Sequence, residues 1–143
     1  MIRVILLGVF LLDQLSKSFV LRNMSLNESI PIFAPFFSIT LVTNTGVAFG
    51  LFKGRSDLFI FVGLVILFWI YQLTRRHKIK NRWAQIGLGL ISGGALGNLL
   101  DRLWRGYVID FLDFRIWPVF NIADTCIFVG TLLFLVVSFK PSR

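Results

Sequence analysis

Four apolar runs, separated by polar stretches of different character, set the pattern of this chain. They fall at about 2–21, 58–73, 84–100 and 122–139, and each is expected to form a membrane-spanning helix. A span needs about 20 mainly apolar residues, so the 58–73 run is short and its ends are expected to extend. Asp13, Gln14 and Lys17 interrupt the first run, and no small-residue cleavage signal follows it. That predicts a retained helix rather than a removed leader. Asp13 and Lys17 stand four apart on one helical face, where they can pair. In the third run Gly89, Gly93 and Gly97 recur every fourth residue, a ridge of small residues that lets another helix backbone approach closely.

Between the first two runs the period changes. Pro31 and Pro35 keep the chain extended, and Phe37, Ile39 and Leu41 then alternate with Ser38 and Thr40. Asn44-Thr45-Gly46 is a turn signal, and Val47 to Phe52 reads as a return strand. A small sheet is therefore expected over about 30–53. Its phenylalanines serve either as packing or as a platform for an amphiphilic substrate. The expected fold is an all-α membrane protein, one domain over 1–143, with four transmembrane helices and a small extracytoplasmic β-sheet between helices 1 and 2.

Composition supports a membrane setting. The 143 residues are 56% hydrophobic and 15% charged, against roughly a quarter charged in soluble domains. A net charge of +8 can point to nucleic acid. Here Arg75, Arg76, Lys78, Lys80 and Arg82 crowd one short connection between apolar runs, where positive charge marks a cytoplasmic loop. Nucleic acid is not the expected partner. With four spans, Arg3, Lys140 and Arg143 fall on the same side as that loop. Both termini are thus expected in the cytoplasm, with the 30–53 region and the Asp101–Asp124 segment facing outward. The single cysteine, Cys126, cannot form an internal disulfide. The single histidine, His77, lies in the basic connection, which leaves no imidazole for a serine or cysteine nucleophile and no His-rich metal site.

The chemistry gathers in Gly93–Asp124, which holds four of the seven carboxylates: Asp101, Asp110, Asp113 and Asp124. Ionisable groups at the edge of hydrocarbon are costly unless paired or put to use. Asp101 is most simply a partner for Arg105, four residues on. Asn98 and Arg102 share another face of the third helix. Asn121 is a natural N-cap with Asp124 three residues later, so helix capping is the plain alternative for Asp124. Asp110, between Ile109 and Phe111, has no such local explanation. If the two aspartates meet in a low dielectric, one proton is shared between them. Such a pair can hydrolyse a peptide bond: the ionised member activates water, and the protonated member donates to the carbonyl oxygen and then to the leaving amine. Ser16 and Lys17 are adjacent and point to different faces, which disfavours a Ser–Lys pair. The alternative from another class is a small carboxylate-lined transporter or proton-conducting protein. A non-enzymatic scaffold assembled through the glycine ridge leaves Asp110 and Asn121 unexplained.

Five blocks, DQLSK (Asp13–Lys17), NTGVAFG (Asn44–Gly50), GGALGNLLDR (Gly93–Arg102), GYVIDF (Gly106–Phe111) and FNIAD (Phe120–Asp124), closely resemble the lipoprotein signal peptidase family, also called signal peptidase II. The resemblance covers nearly the whole chain. It implies a bacterial inner-membrane aspartyl protease with four transmembrane helices and a periplasmic β-cradle. The implied activity removes signal peptides from prolipoproteins, cutting just before the diacylglyceryl-modified cysteine. By the same resemblance Asp110 and Asp124 form the catalytic dyad. Asn44, Asn98, Arg102 and Asn121 are supporting polar residues, and Asp13 and Lys17 are structural or supporting. No cofactor or metal is expected. The expected partners are lipid-modified prolipoproteins and membrane lipids, and a monomer is expected.

Overall fold

The computed structural model describes residues 1–46, 54–77 and 79–139. Its elements, in chain order, are α1 (Ile2–Asn23), β1 (Ser29–Phe33), β2 (Phe37–Asn44), α2 (Ser56–Arg76), α3 (Arg82–Arg105), β3 (Val108–Asp113) and α4 (Ile122–Ser138). Among the described residues, α1 and α2, with 22 and 21 residues, are long and apolar enough to cross a membrane. The second apolar run gains two residues at its start and three at its end, so Arg75 and Arg76 lie inside α2, and Arg82 begins α3. The connection between them shrinks to 77–81, of which Lys78 is outside the described residues. Asn81 caps α3, its side-chain oxygen accepting from Trp83 N at 2.9 Å and Ala84 N at 3.2 Å.

Helix α3 sits at the centre and packs against α1, α2 and α4. Its glycines make this possible on two faces. Gly89 and Gly93 lie against α1, where a Cβ on Gly93 would sit 2.7 Å from the Leu6 carbonyl oxygen. Gly97 leaves room for the Asp13 carboxylate. Gly87 and Gly94 face α4, where Gly130 answers with a Cβ position only 2.7 Å from the Gly87 carbonyl oxygen. No other residue allows backbones so close. The every-fourth-residue pattern marked the first face, while the second depends on Gly87, Gly94 and Gly130 together. By contrast, α2 buries none of its residues.

The sheet differs from the expected one. Its order is β1-β2-β3, antiparallel throughout, so the central strand β2 pairs on one side with a strand from between α3 and α4. The sheet is therefore not confined to the segment between helices 1 and 2. The signal lay in Tyr107–Leu112, which is rich in β-branched and aromatic residues and is bounded by Gly106. Gly106 closes α3 at φ 81°, a left-handed conformation that glycine adopts without strain, and turns the chain directly into β3. The expected return strand Val47–Phe52 lies outside the described residues. Edge strand β1 is exposed and carries Pro31, which has no N–H for a further strand to use. Val20, Leu41, Ile109 and Phe111 bury the inner face of the sheet against α1.

One closure decides the rest. Leu112 N donates to Phe120 O at 2.8 Å and Phe120 N donates to Leu112 O at 3.1 Å. This bridge ties the end of β3 to the start of α4, and it brings Asn121 beside Asp110.

Candidate active site

Asp110 lies mid-strand in β3, opposite Val42, and is 1% exposed. Asp124 is in the first turn of α4. Both line one cavity of about 180 Å³, together with Asn44, Asn98, Arg102 and Trp117. Asp110 accepts two hydrogen bonds, from Asn44 Nδ2 at 2.9 Å to Oδ2 and from Asn121 Nδ2 at 2.6 Å to Oδ1. Asp124 Oδ1 accepts from Asn98 Nδ2 at 2.7 Å. Its Oδ2 accepts from Asn121 N at 3.3 Å, and its own N–H donates to Asn121 Oδ1 at 2.9 Å. The capping box read from the sequence is therefore present. It occupies one carboxylate oxygen and leaves the other on the cavity side with Asn98.

The three asparagines are not free to turn over. An amide can point either its oxygen or its NH₂ at a neighbour, and the surrounding donors fix the choice. Asn44 Oδ1 accepts from Gly46 N at 2.9 Å, so its NH₂ must face Asp110. Asn121 Oδ1 is held by the Asp124 N–H, so its NH₂ turns to Asp110, to Asn98 Oδ1 at 3.2 Å and to Ile109 O at 3.2 Å. Asn98 Oδ1 is held by Lys17 Nζ at 2.9 Å, and an ammonium can only donate. The Asn98 NH₂ is thereby turned to Asp124. Every amide presents donors to the two carboxylates.

Behind the asparagines lies a second charged cluster of opposite character. Lys17, with no exposed surface, contacts Asp13 Oδ2 at 2.8 Å, Asp101 Oδ2 at 2.8 Å and Asn98 Oδ1 at 2.9 Å. Three ammonium protons meet three acceptors. Asp101 Oδ1 also takes Arg105 Nη1 at 2.5 Å, and Asp13 Oδ1 accepts from Ala123 N at 3.0 Å. Two aspartates face two cations, and Gln14 Nε2 adds contacts to both carboxylates at 3.2 and 3.3 Å. The Asp13–Lys17 and Asp101–Arg105 pairs follow from helical spacing. The link from Lys17 to Asp101, and the part played by Gln14, depend on α1 meeting α3 and had no local signal.

Asp110 and Asp124 have only neutral hydrogen-bond partners. Burial pushes the Asp110 carboxyl up to about 7, and the charge of Asp124 raises it further, against the lowering effect of the Asn44 and Asn121 hydrogen bonds. Across the cavity, Arg102 is loosely held. Its Nη1 reaches Asn98 O at 3.4 Å, its Nη2 reaches Gly46 O at 3.5 Å, and its guanidinium lies 5.1 Å from the centroid of the Phe59 ring. Among the described residues, Arg102 Nε is the one buried side-chain nitrogen or oxygen without a hydrogen-bond partner. A buried donor left unsatisfied costs about 1–3 kcal/mol, which makes it a ready partner for an acceptor entering the cavity.

All eight residues singled out in the sequence thus fall in two touching clusters. Asp110, Asp124, Asn44, Asn98 and Arg102 line the cavity, Asn121 is fully buried behind Asp110 and bonded to it, and Asp13 and Lys17 support the site from behind through Asn98. Fold and site together define a small helical protein that buries two carboxylates among amides where its sheet meets its helices. The chain belongs to the signal peptidase II family, whose model, described as signal peptidase (SPase) II, matches residues 5–140. It is 45% identical to the lipoprotein signal peptidase of Halothermothrix orenii, over 100% of this chain and 98% of the relative. It is 48% identical to that of Pelotomaculum thermopropionicum, over 91% of this chain and 86% of the relative. A solved structure described as a bacterial membrane enzyme, determined by the in meso method at 2.3 Å, matches with a TM-score of 0.88 at 29% identity. That match covers 98% of this chain and 92% of the other.

Proposed function

We propose that this protein is a membrane aspartic endopeptidase that removes signal peptides from diacylglyceryl-modified prolipoproteins, cutting before the lipidated cysteine. The observation that carries the reading is the pair of buried carboxylates, Asp110 and Asp124, held by neutral amides alone on one cavity. Family membership and the names of the relatives support the substrate class.

In this reading the two aspartates share one proton. The ionised member takes a proton from a water lying between them as that water attacks the scissile carbonyl. The protonated member donates to the carbonyl oxygen. When the tetrahedral intermediate collapses, the carboxyl that took the proton from water passes it to the departing amine, and the other carboxylate takes back a proton from the intermediate's hydroxyl. Arg102 supplies a positive charge and a spare N–H for a substrate carbonyl entering the cavity. Asn44, Asn98 and Asn121 keep the carboxylates aimed, and Lys17 keeps Asn98 aimed. All four helices cross the bacterial cytoplasmic membrane, both termini lie in the cytoplasm, and the sheet and dyad face outward. Two acyl chains then hold the substrate at the depth of the dyad, each buried CH₂ contributing about 0.8 kcal/mol. That anchoring supplies much of the proximity advantage, and one chain is enough to form the site.

The test is cleavage of a diacylglyceryl-modified prolipoprotein by purified protein in detergent, with chelator present. Asp110→Asn and Asp124→Asn are expected to fold and to be inactive. Asp57→Asn, which touches only the exposed Arg55, is expected to cleave at the unmodified rate. A dyad variant with near-normal cleavage, or abolition of all activity by chelator, would overturn the mechanism.

A further inference from the structure

A second cavity lies away from the dyad. Helices α1 and α2 pack on α3 rather than on each other, which leaves a groove of about 840 Å³ at the N-terminal end of α1. Leu6, Leu67 and Ile70 give it apolar walls, and Arg3, Tyr71 and Arg75 stand along it. Among the described residues no carboxylate lines the groove. Among the described residues neither Arg3 nor Arg75 has an ion-pair partner, and Arg75 contacts only the Tyr71 hydroxyl, at 3.2 Å, and its ring. The first turn of α1 also borders the groove and carries no acidic side chain. The free N–H groups of a helix start, together with the helix dipole, favour an anion there.

We propose that this groove is a binding site for an anionic glycerophospholipid. Its phosphate sits between Arg3, Arg75 and the first turn of α1, and an acyl chain runs along Leu6, Leu67 and Ile70. Three sources of positive potential converge beside an apolar channel, the combination by which basic pockets between membrane helices select charged headgroups. A zwitterionic lipid fits the channel equally well but brings its own cation to the arginines, so the selectivity lies in the headgroup. The inference rests on the membrane placement proposed above and is independent of the peptidase chemistry.

The experiment is native mass spectrometry of the full chain released from detergent. Phosphatidylglycerol and phosphatidylcholine with identical acyl chains compete in equal amounts. About a tenfold excess of phosphatidylglycerol adducts is expected. Arg3→Gln combined with Arg75→Gln should remove that preference. Arg22→Gln combined with Arg55→Gln makes the same charge change at sites outside the groove and should retain it. Asp110→Asn is expected to keep the lipid preference, so failure of the peptidase reading and failure of this one are distinguishable. Equal adducts of the two lipids on the unmodified protein, or equal loss of preference in the two double variants, overturns the assignment.

Discussion

Two clusters of aspartates touch the same asparagine, Asn98, and they are built on opposite rules. In one, Asp13 and Asp101 meet Lys17 and Arg105, so each negative charge has a cation at hydrogen-bonding distance. In the other, Asp110 and Asp124 meet only amides and backbone N–H groups. A buried charge with its cation is quenched, and such a pair fixes geometry. A buried carboxylate held by neutral donors keeps its proton more readily, the property on which the proposed acid–base role of Asp110 and Asp124 rests. Separating the two roles across one amide lets the first cluster be rigid while the second titrates.

The strongest way to break this comparison is to make the same change on each side. Asp124→Asn should lower cleavage of lipid-modified substrate by about 1,000-fold or more with a small change in thermal midpoint, as expected of a group acting in the transition state. Asp101→Asn should do the reverse, with a clear fall in midpoint and a smaller loss of turnover by the molecules that remain folded. Equal signatures from the two variants would show that the clusters are not distinct.

Next in size is Lys17→Met. It leaves two buried carboxylates with only Arg105, a loss on the order of 3–5 kcal/mol by analogy with broken buried pairs. It also loosens the Asn98 amide, whose oxygen is then held only by the Asn121 NH₂ at 3.2 Å. Adding Asp13→Asn should restore part of the thermal midpoint but not the activity, because Asn98 still lacks its contact from Lys17.

Titration sharpens the contrast. The Asp110 carboxyl is raised to about 7 in the folded protein, whereas an unfolded aspartate titrates near 3.9. Between those values the folded state binds more protons, so this group's contribution to stability is full at low pH and declines as pH rises toward 7. The slope is at most about 1.4 kcal/mol per pH unit. Denaturation midpoints at pH 5, 6 and 7 should show it, and Asp110→Asn should flatten it. The Asn variant also places an NH₂ against the donor of Asn44 or Asn121, so the slope is the diagnostic quantity and not the absolute stability.

The smallest expected effect comes from Asn44→Ala. Removing one donor to ionised Asp110 raises that group's proton affinity further, so the corresponding limb of the pH–rate profile should move to higher pH. The rate should fall by about tenfold, in line with the loss of one charge-assisted hydrogen bond.

Much of this architecture was legible because its signals are local. The helices follow from apolar run length, the α1 and α3 ion pairs from a spacing of four, and the α4 cap from Asn121 and Asp124 three apart. What was hidden depends on elements meeting. Strand β3 is short and lies between helical runs, so no element was expected over Val108–Asp113, and its pairing with β2 needed the structure. The second glycine face of α3 shows only when Gly130 is set against Gly87. The orientation of the three amides cannot be read from sequence, since it depends on a lysine 81 residues from Asn98 and on backbone donors.

The cap of α4 carries a practical consequence. The backbone N–H of Asp124 is bonded to Asn121 Oδ1, and the same side chain's NH₂ is bonded to Asp110. The amide nitrogen of Asp124 is thus wired to both carboxylates at once. Its resonance in a selectively ¹⁵N-labelled sample would record the arrival of a proton, or of an inhibitor, as a shift in a single line.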